Sequence, residues 1–235
     1  MASGSPRAAG CSGERPKMTR KRIGVLISGR GSNMEALLAA ASDPAFPAEI
    51  SLVMSNRADA AGLVTAASQG VATAVVDHRP YGKDRESFER ALDARMRDAG
   101  VELVCLAGFM RVLTPVFVGA WDGRMLNIHP SLLPAYTGLH THERALNDGV
   151  RVHGCTVHFV TPVLDVGPII AQAVVPVRAG DDPDKLAARV LRQEHRLYPR
   201  ALELIASGAA WLENGRVMYQ DAQAMARATV FADET

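Results

Sequence analysis

The chain has 235 residues, of which 48% are hydrophobic and only 5% aromatic, and its formal net charge is +1. That balance argues against a protein built to cover nucleic acid or an anionic membrane. No apolar run reaches the roughly 20 residues needed to span a bilayer, and Cys11, Cys105 and Cys155 are too few and too scattered for a disulfide framework or a metal cluster.

Met1 to Lys21 is rich in Ser, Gly, Pro and basic residues and lacks apolar periodicity. It reads as a disordered extension, or as the result of a start codon assigned upstream of Met18, and a cytoplasmic location is expected. Residues 22–217 read as a single domain and 218–235 as a loose tail.

Arg22 to Ser28 is a continuous apolar run that ends in Gly29-Arg30-Gly31-Ser32-Asn33, and Met34 to Ala41 has helical character. Strand, glycine-rich turn and helix form a phosphate-cradling arrangement, because the helix N-terminus offers free N–H groups and positive dipole. A dinucleotide fingerprint is excluded twice. Met34 occupies the place of its third glycine, and the second strand, Glu49 to Met54, ends in Ser55-Asn56-Arg57 with no carboxylate for a ribose. A small phosphorylated ligand fits better.

The alternation continues. Ala58 to Gln69 reads as a helix, Val71 to Asp77 as a strand, and Lys83 to Ala99 as an amphipathic helix with Phe88, Leu92 and Met96 four apart. Glu102 to Leu106 is a buried strand, Pro115 to Trp121 a short helix, and Met125 to Ile128 the next strand. Repeated βα units predict an α/β, Rossmann-like fold: a mostly parallel twisted sheet with helices on both faces. Its ligands should gather where Gly29, Phe109 and Asn127 end their strands.

After a helix over Leu139 to Gly149 the pattern changes to longer alternating runs, His153 to Thr161 and Ile169 to Val177, which predict antiparallel strands in the C-terminal part. Asp182-Pro183 starts a helix to about Ser207, with a kink or break expected at Pro199. Its predicted apolar stripe is Ala187, Val190, Leu191, Tyr198, Ala201 and Ile205, with Glu194 in the middle. Asn214-Gly215 turns a hairpin.

Five of the seven histidines lie between Met125 and Val160. At the strand end stand an amide, Asn127, and an imidazole, His129, and Asp165 joins them if its loop folds over the sheet. No serine or cysteine sits in a nucleophile elbow. A direct acyl transfer between two bound substrates is therefore the natural candidate, with Asn127 and protonated His129 donating to an oxyanion and Asp165 relaying a proton. A zinc site from His129, His140 and His142 would need a spacing that no metal motif has, so no metal is expected.

These residues carry a resemblance. From Arg22 to about Gly215 the chain resembles the glycinamide ribonucleotide formyltransferase family, in Val25 to Asn33, Leu106-Ala107-Gly108-Phe109-Met110-Arg111 and Leu126-Asn127-Ile128-His129-Pro130-Ser131-Leu132-Leu133-Pro134. Gly138-Leu139-His140, the run from His153 to Val160, Leu164-Asp165-x-Gly167-Pro168 and Gln193-Glu194-His195 match it as well. The resemblance implies attack of the amine of 5-phosphoribosylglycinamide on the formyl group of 10-formyltetrahydrofolate, the co-substrate. It carries the catalytic role onto Asn127, His129 and Asp165, the phosphate contact onto Gly29, Arg30, Gly31, Ser32 and Asn33, and the ribose contact onto Glu194. It puts Met110, Arg111, Val112, Leu113 and Asn127 in the folate pocket, Arg85 at the pteroate or glutamate end, and His158 in a supporting place. No metal, nucleic acid or membrane is implied, and the assembly would be a monomer or homodimer. Arg30 departs from the smaller residue usual in that loop and could add a phosphate contact.

The rival readings are a formyltetrahydrofolate hydrolase and a non-catalytic folate- or nucleotide-binding module. A tRNA-directed formyltransferase would need a further C-terminal domain and a basic surface.

Overall fold

The computed structural model describes residues 19–232. In chain order, β1 (Lys21–Ile27) leads to α1 (Ser32–Ala41), β2 (Ala48–Ser55), α2 (Ala61–Ser68), β3 (Thr73–Val75) and α3 (Arg85–Asp98). Then come β4 (Leu103–Leu106), α4 (Pro115–Ala120), β5 (Met125–His129), α5 (Thr141–Asn147), β6 (Val152–Phe159) and β7 (Ile169–Pro176). The chain ends with α6 (Pro183–Ala206), β8 (Ala210–Glu213), β9 (Arg216–Tyr219), α7 (Ala222–Arg227) and β10 (Thr229–Phe231).

Eight strands form one sheet in the order β10-β7-β6-β5-β4-β1-β2-β3. β1 to β5 pair in parallel, β6 runs against both β5 and β7, and β10 lies parallel to β7. One reversed strand thus accounts for both antiparallel ladders, and the expected mostly parallel α/β sheet is present. The apolar runs need two covered faces. Ile23, Val25 and Ile27 of β1 pack with α1 and α6, while Leu26 faces Phe88, Leu92 and Met96 of α3 and Trp121 after α4.

Helix starts follow capping chemistry. Asp84, Thr114, Asp182 and Asp221 each accept a hydrogen bond from a first-turn N–H of α3, α4, α6 and α7 respectively, and Pro115 and Pro183 occupy first-turn positions. Each cap contributes about 1 kcal/mol. α6 continues for 24 residues with Pro199 inside it, so no break occurs there. Its buried face also differs from the expected stripe. Val190, Tyr198, Ala201 and Ile205 are buried as expected, but Ala187 and Leu191 are only partly so, and Leu186, Gln193, Leu197 and Leu204 join the covered face. The cause is double packing: α6 meets both the sheet and α1, which widens and turns its covered face.

Both expected domain edges move. The extension assigned to residues 1–21 lies outside the described residues as far as 18, but Arg20 and Lys21 belong to the domain. The Arg20 guanidinium donates to the carbonyls of Ala41, Phe46 and Ala48, and Lys21 opens β1. The segment 218–235, expected to be a loose tail, is ordered to Ala232. β9 pairs with β8 across the Asn214-Gly215 turn, Tyr219 donates to the Ile170 carbonyl at 2.7 Å, and β10 covers the edge of β7. Ala224, Ala228 and Val230 enter the core, so an open strand edge and a few small apolar side chains suffice to order the end.

Candidate active site

Gly31 stands in the left-handed conformation (φ 76°) at the start of α1, with no side chain capping the helix. The first N–H groups of α1 therefore remain open to a cleft of about 390 Å³, lined by residues 28–33 and by Asn56, Arg57, His78, Met110 and Arg111. α2 presses on this loop through Gly62, whose N–H donates to the Gly29 carbonyl at 3.1 Å. A Cβ at Gly62 would lie 2.6 Å from Ile27 Cδ1 and 2.9 Å from the Arg30 oxygen.

A buried polar network ties three strand ends together. Ser28 Oγ donates to Asn56 Oδ1 at 2.7 Å and accepts from Met110 N–H at 2.8 Å, and His78 Nδ1 donates to the Asn56 carbonyl at 2.9 Å. Asn56, Arg57 and His78 were not among the residues singled out from sequence. Their signal is the same one that located Gly29: they close β2 and follow β3 at the carboxyl edge.

The β5–β6 register sets Asn127 opposite His158 and His129 opposite Thr156. His158 Nδ1 donates to the Phe159 carbonyl at 2.8 Å, which leaves Nε2 to accept from Asn127 Nδ2 at 3.3 Å. Burial lowers the His158 pKa and keeps that ring neutral. The amide of Asn127 is thus oriented with a second N–H to spare. His129 is 6% exposed; its Nε2 donates to the Tyr136 carbonyl at 2.9 Å, and its Nδ1 stands 3.4 Å from Asp165 Oδ2. The carboxylate that the sequence could place only conditionally does fold over the sheet. Asp165 takes a left-handed backbone (φ 54°), is 7% exposed, accepts from Gly138 N–H at 2.8 Å, and has Oδ1 3.9 Å from His158 Nε2.

Beside this group is a second, smaller pocket of about 100 Å³, whose lining includes Phe109, Arg111, Val112, Leu113, Asn127 and residues 160–165. Apolar side chains stay exposed around it, Val112 at 61%, Val163 at 63% and Leu164 at 58%, an edge suited to a flat apolar ligand. Arg85 donates to the Val112 carbonyl and Arg111 lies over the Phe88 ring at 5.7 Å, so both brace this loop. Met110 is placed differently from expectation: it lines the first cleft. Glu194 sits behind that cleft, where Asn33 Nδ2 donates to it at 2.6 Å. Burial raises its pKa, and the Asn33 bond opposes the rise. Asn33 Oδ1 is buried without a partner.

The remaining histidines do other work. His140 is exposed beside Glu143, and His142 packs edge-on against His153 with centroids 5.2 Å apart. No group of three His, Cys, Asp or Glu fit to hold a metal occurs among the described residues. Burial pulls the His153 pKa down to about 4, helped by His142, and burial lowers His142 too. An unfolded histidine titrates near pH ~6.5, so the unfolded chain binds more protons below that value. The melting temperature should therefore fall as pH drops from about 6.5 toward about 4. Melting curves across that window test this; a flat profile would remove the buried pair from the account.

Residues 21–202 match a model of the formyl transferase family. Phosphoribosylglycinamide formyltransferase of Escherichia coli is 46% identical over 202 residues, covering 83% of this chain and 95% of that one. The trifunctional purine biosynthetic protein adenosine-3 of Homo sapiens is 48% identical over 85% of this chain, which spans only 20% of that relative's length. Among solved structures, glycinamide ribonucleotide transformylase 1 of Symbiobacterium toebii aligns with a TM-score of 0.82 at 48% identity, covering 86% of this chain and 95% of that one. A formyltetrahydrofolate deformylase of Pseudomonas syringae, at 24% identity and a TM-score of 0.80, shares the fold. The chain belongs to the formyl transferase family, in its phosphoribosylglycinamide formyltransferase branch.

Proposed function

We propose that this chain transfers the formyl group of 10-formyltetrahydrofolate to the amine of 5-phosphoribosylglycinamide, a step of purine synthesis. The observation that carries the reading is the meeting of Asn127, His129 and Asp165 between a phosphate-type cleft and an apolar pocket. The open N-terminus of α1 with residues 29–33 takes the phosphate, Glu194 with Asn33 takes the ribose hydroxyls, and residues 111–113 with Arg85 take the folate.

His129 Nε2 is committed to the Tyr136 carbonyl, so Nδ1 is the nitrogen that serves the reaction. The amine attacks the formyl carbon, and the oxygen gains negative charge that the spare Asn127 N–H and the His129 Nδ1 proton stabilise. Asp165 supports the charged imidazole and passes the amine's proton onward. Collapse of the intermediate expels the folate nitrogen, which leaves with that proton. His158 holds Asn127 in orientation and does not react.

Following loss of 10-formyltetrahydrofolate with and without 5-phosphoribosylglycinamide tests the assignment. Consumption that depends on the amine, with formylated product in equal amount, is expected. Consumption without it would make the chain a hydrolase, a reading for which the deformylase offers likeness of fold alone.

Glu194→Gln separates binding from stability. The KM for 5-phosphoribosylglycinamide should rise about tenfold or more, from the loss of a charged hydrogen-bond acceptor, with the folate KM unchanged. A buried carboxylate with a raised pKa costs stability once pH passes its unfolded value, so the variant should melt no lower than the parent at neutral pH. Steady-state kinetics and thermal melts read both; an unchanged KM would take Glu194 out of the site.

A further inference from the structure

A strongly basic cavity plays no part in this chemistry. It measures about 430 Å³ and opens where the end of β7 meets α6, lined by Arg178 and by Arg189, Arg192, Gln193, His195 and Arg196 of α6. It shares no lining residue with either pocket of the active site.

The three α6 arginines are spaced three and four apart, so they stand on one face of the helix, where like charges destabilise it. Asp181 holds Arg189 at 2.6 Å, but neither Arg192 nor Arg196 has an ion pair among the described residues. Gln193 is 7% exposed, and its Oε1 is buried without a hydrogen-bond partner, as is His195 Nε2. Orphaned buried polar atoms ask for an explanation, and a ligand is one. Guanidinium forks match phosphate oxygens in pairs, and the cavity has the volume of a small-molecule site.

The geometry points to a second ligand site, one that takes a small molecule carrying two or more linked phosphates. Arg192 and Arg196 grip the phosphates, with Arg178 at the rim. Gln193 and His195 line the same cavity, and their orphaned atoms, covered while it is empty, meet the ligand by a turn of the side chain. Inorganic polyphosphate and a nucleoside polyphosphate share this chemistry.

Titration calorimetry of the full chain at low salt, with tripolyphosphate and ATP as separate probes, tests the proposal. Wild type should bind. The Arg192→Gln/Arg196→Gln double variant should lose one site, or bind roughly tenfold or more weakly, with unchanged turnover and a melting temperature no lower than the parent's. Tighter binding of ATP would make the nucleoside part of the ligand, and equal affinity would assign recognition to the phosphates alone; either supports the site. Absence of binding by wild type, or equal binding by the double variant, would overturn it. Asp233 and Glu234 follow Ala232, which also lines the cavity, and lie outside the described residues. A chain ending at Ala232 is therefore a second arm: binding seen only in that form would assign the cavity to the chain's own carboxylates and overturn the proposal.

Discussion

Asp165→Asn should lower kcat by about a hundredfold or more while leaving both KM values within a few-fold of the parent. The amide is nearly the same size, and its oxygen can still accept from Gly138 N–H, as Asp165 Oδ2 does at 2.8 Å. The loop therefore has no reason to open. The loss is chemical. An amide 3.4 Å from His129 Nδ1 supports no charged imidazole and carries no proton away from the attacking amine. The cleft formed by residues 28–33 is untouched, and in the second pocket, which Asp165 itself lines, the near-isosteric amide leaves the 109–113 side as it was. Steady-state kinetics with each substrate varied in turn decide the matter. An unchanged kcat removes Asp165 from the chemistry, and a large rise in KM alone recasts it as a binding residue.

Gly167→Ala should cost on the order of 3 kcal/mol of stability and most of the activity with it. A Cβ at Gly167 would fall 1.7 Å from the Phe159 oxygen and 3.3 Å from His158 Nδ1, and that oxygen already accepts from His158 Nδ1. A strand backbone cannot retreat as a flexible side chain can, so the loop must lift. Because Asp165 lies two residues away, lifting the loop separates the carboxylate from His129. Thermal denaturation should show the loss of stability, and kcat should fall in protein that is still folded at low temperature. A variant as stable and active as the parent would mean that the loop is not seated against β6 as described.

Much of this was readable in the sequence, for physical reasons. The apolar runs of β1, β2, β4 and β5 are bounded by glycine and polar residues, and such runs can only be strands covered on both faces. The rule that ligands gather at strand ends then located Gly29, Phe109 and Asn127. Glu194 was legible as a carboxylate where an apolar residue belongs, and the structure buries it against Asn33. What the sequence hid depends on distant partners. The end of the chain looks loose because Ala224, Ala228 and Val230 are small and sparse, and only the open edge of β7 gives them a place. Asn56 and His78 resemble any polar loop until the Ser28 network draws them into the cleft, whose lining Arg57 joins from its pair with Asp59. The tautomer of His129 was likewise invisible, because the Tyr136 carbonyl that fixes it is a backbone group turned inward by a left-handed residue (φ 55°).

The most direct test of the central claim is a crystal structure with 5-phosphoribosylglycinamide and a folate analogue bearing a tetrahedral oxyanion mimic. The oxygen of the mimic is expected within about 3 Å of both Asn127 Nδ2 and His129 Nδ1, with Asp165 still against His129 and Nε2 still on the Tyr136 carbonyl. A mimic whose oxygen points away from both nitrogens, or a phosphate bound anywhere but at the start of α1, would contradict the account.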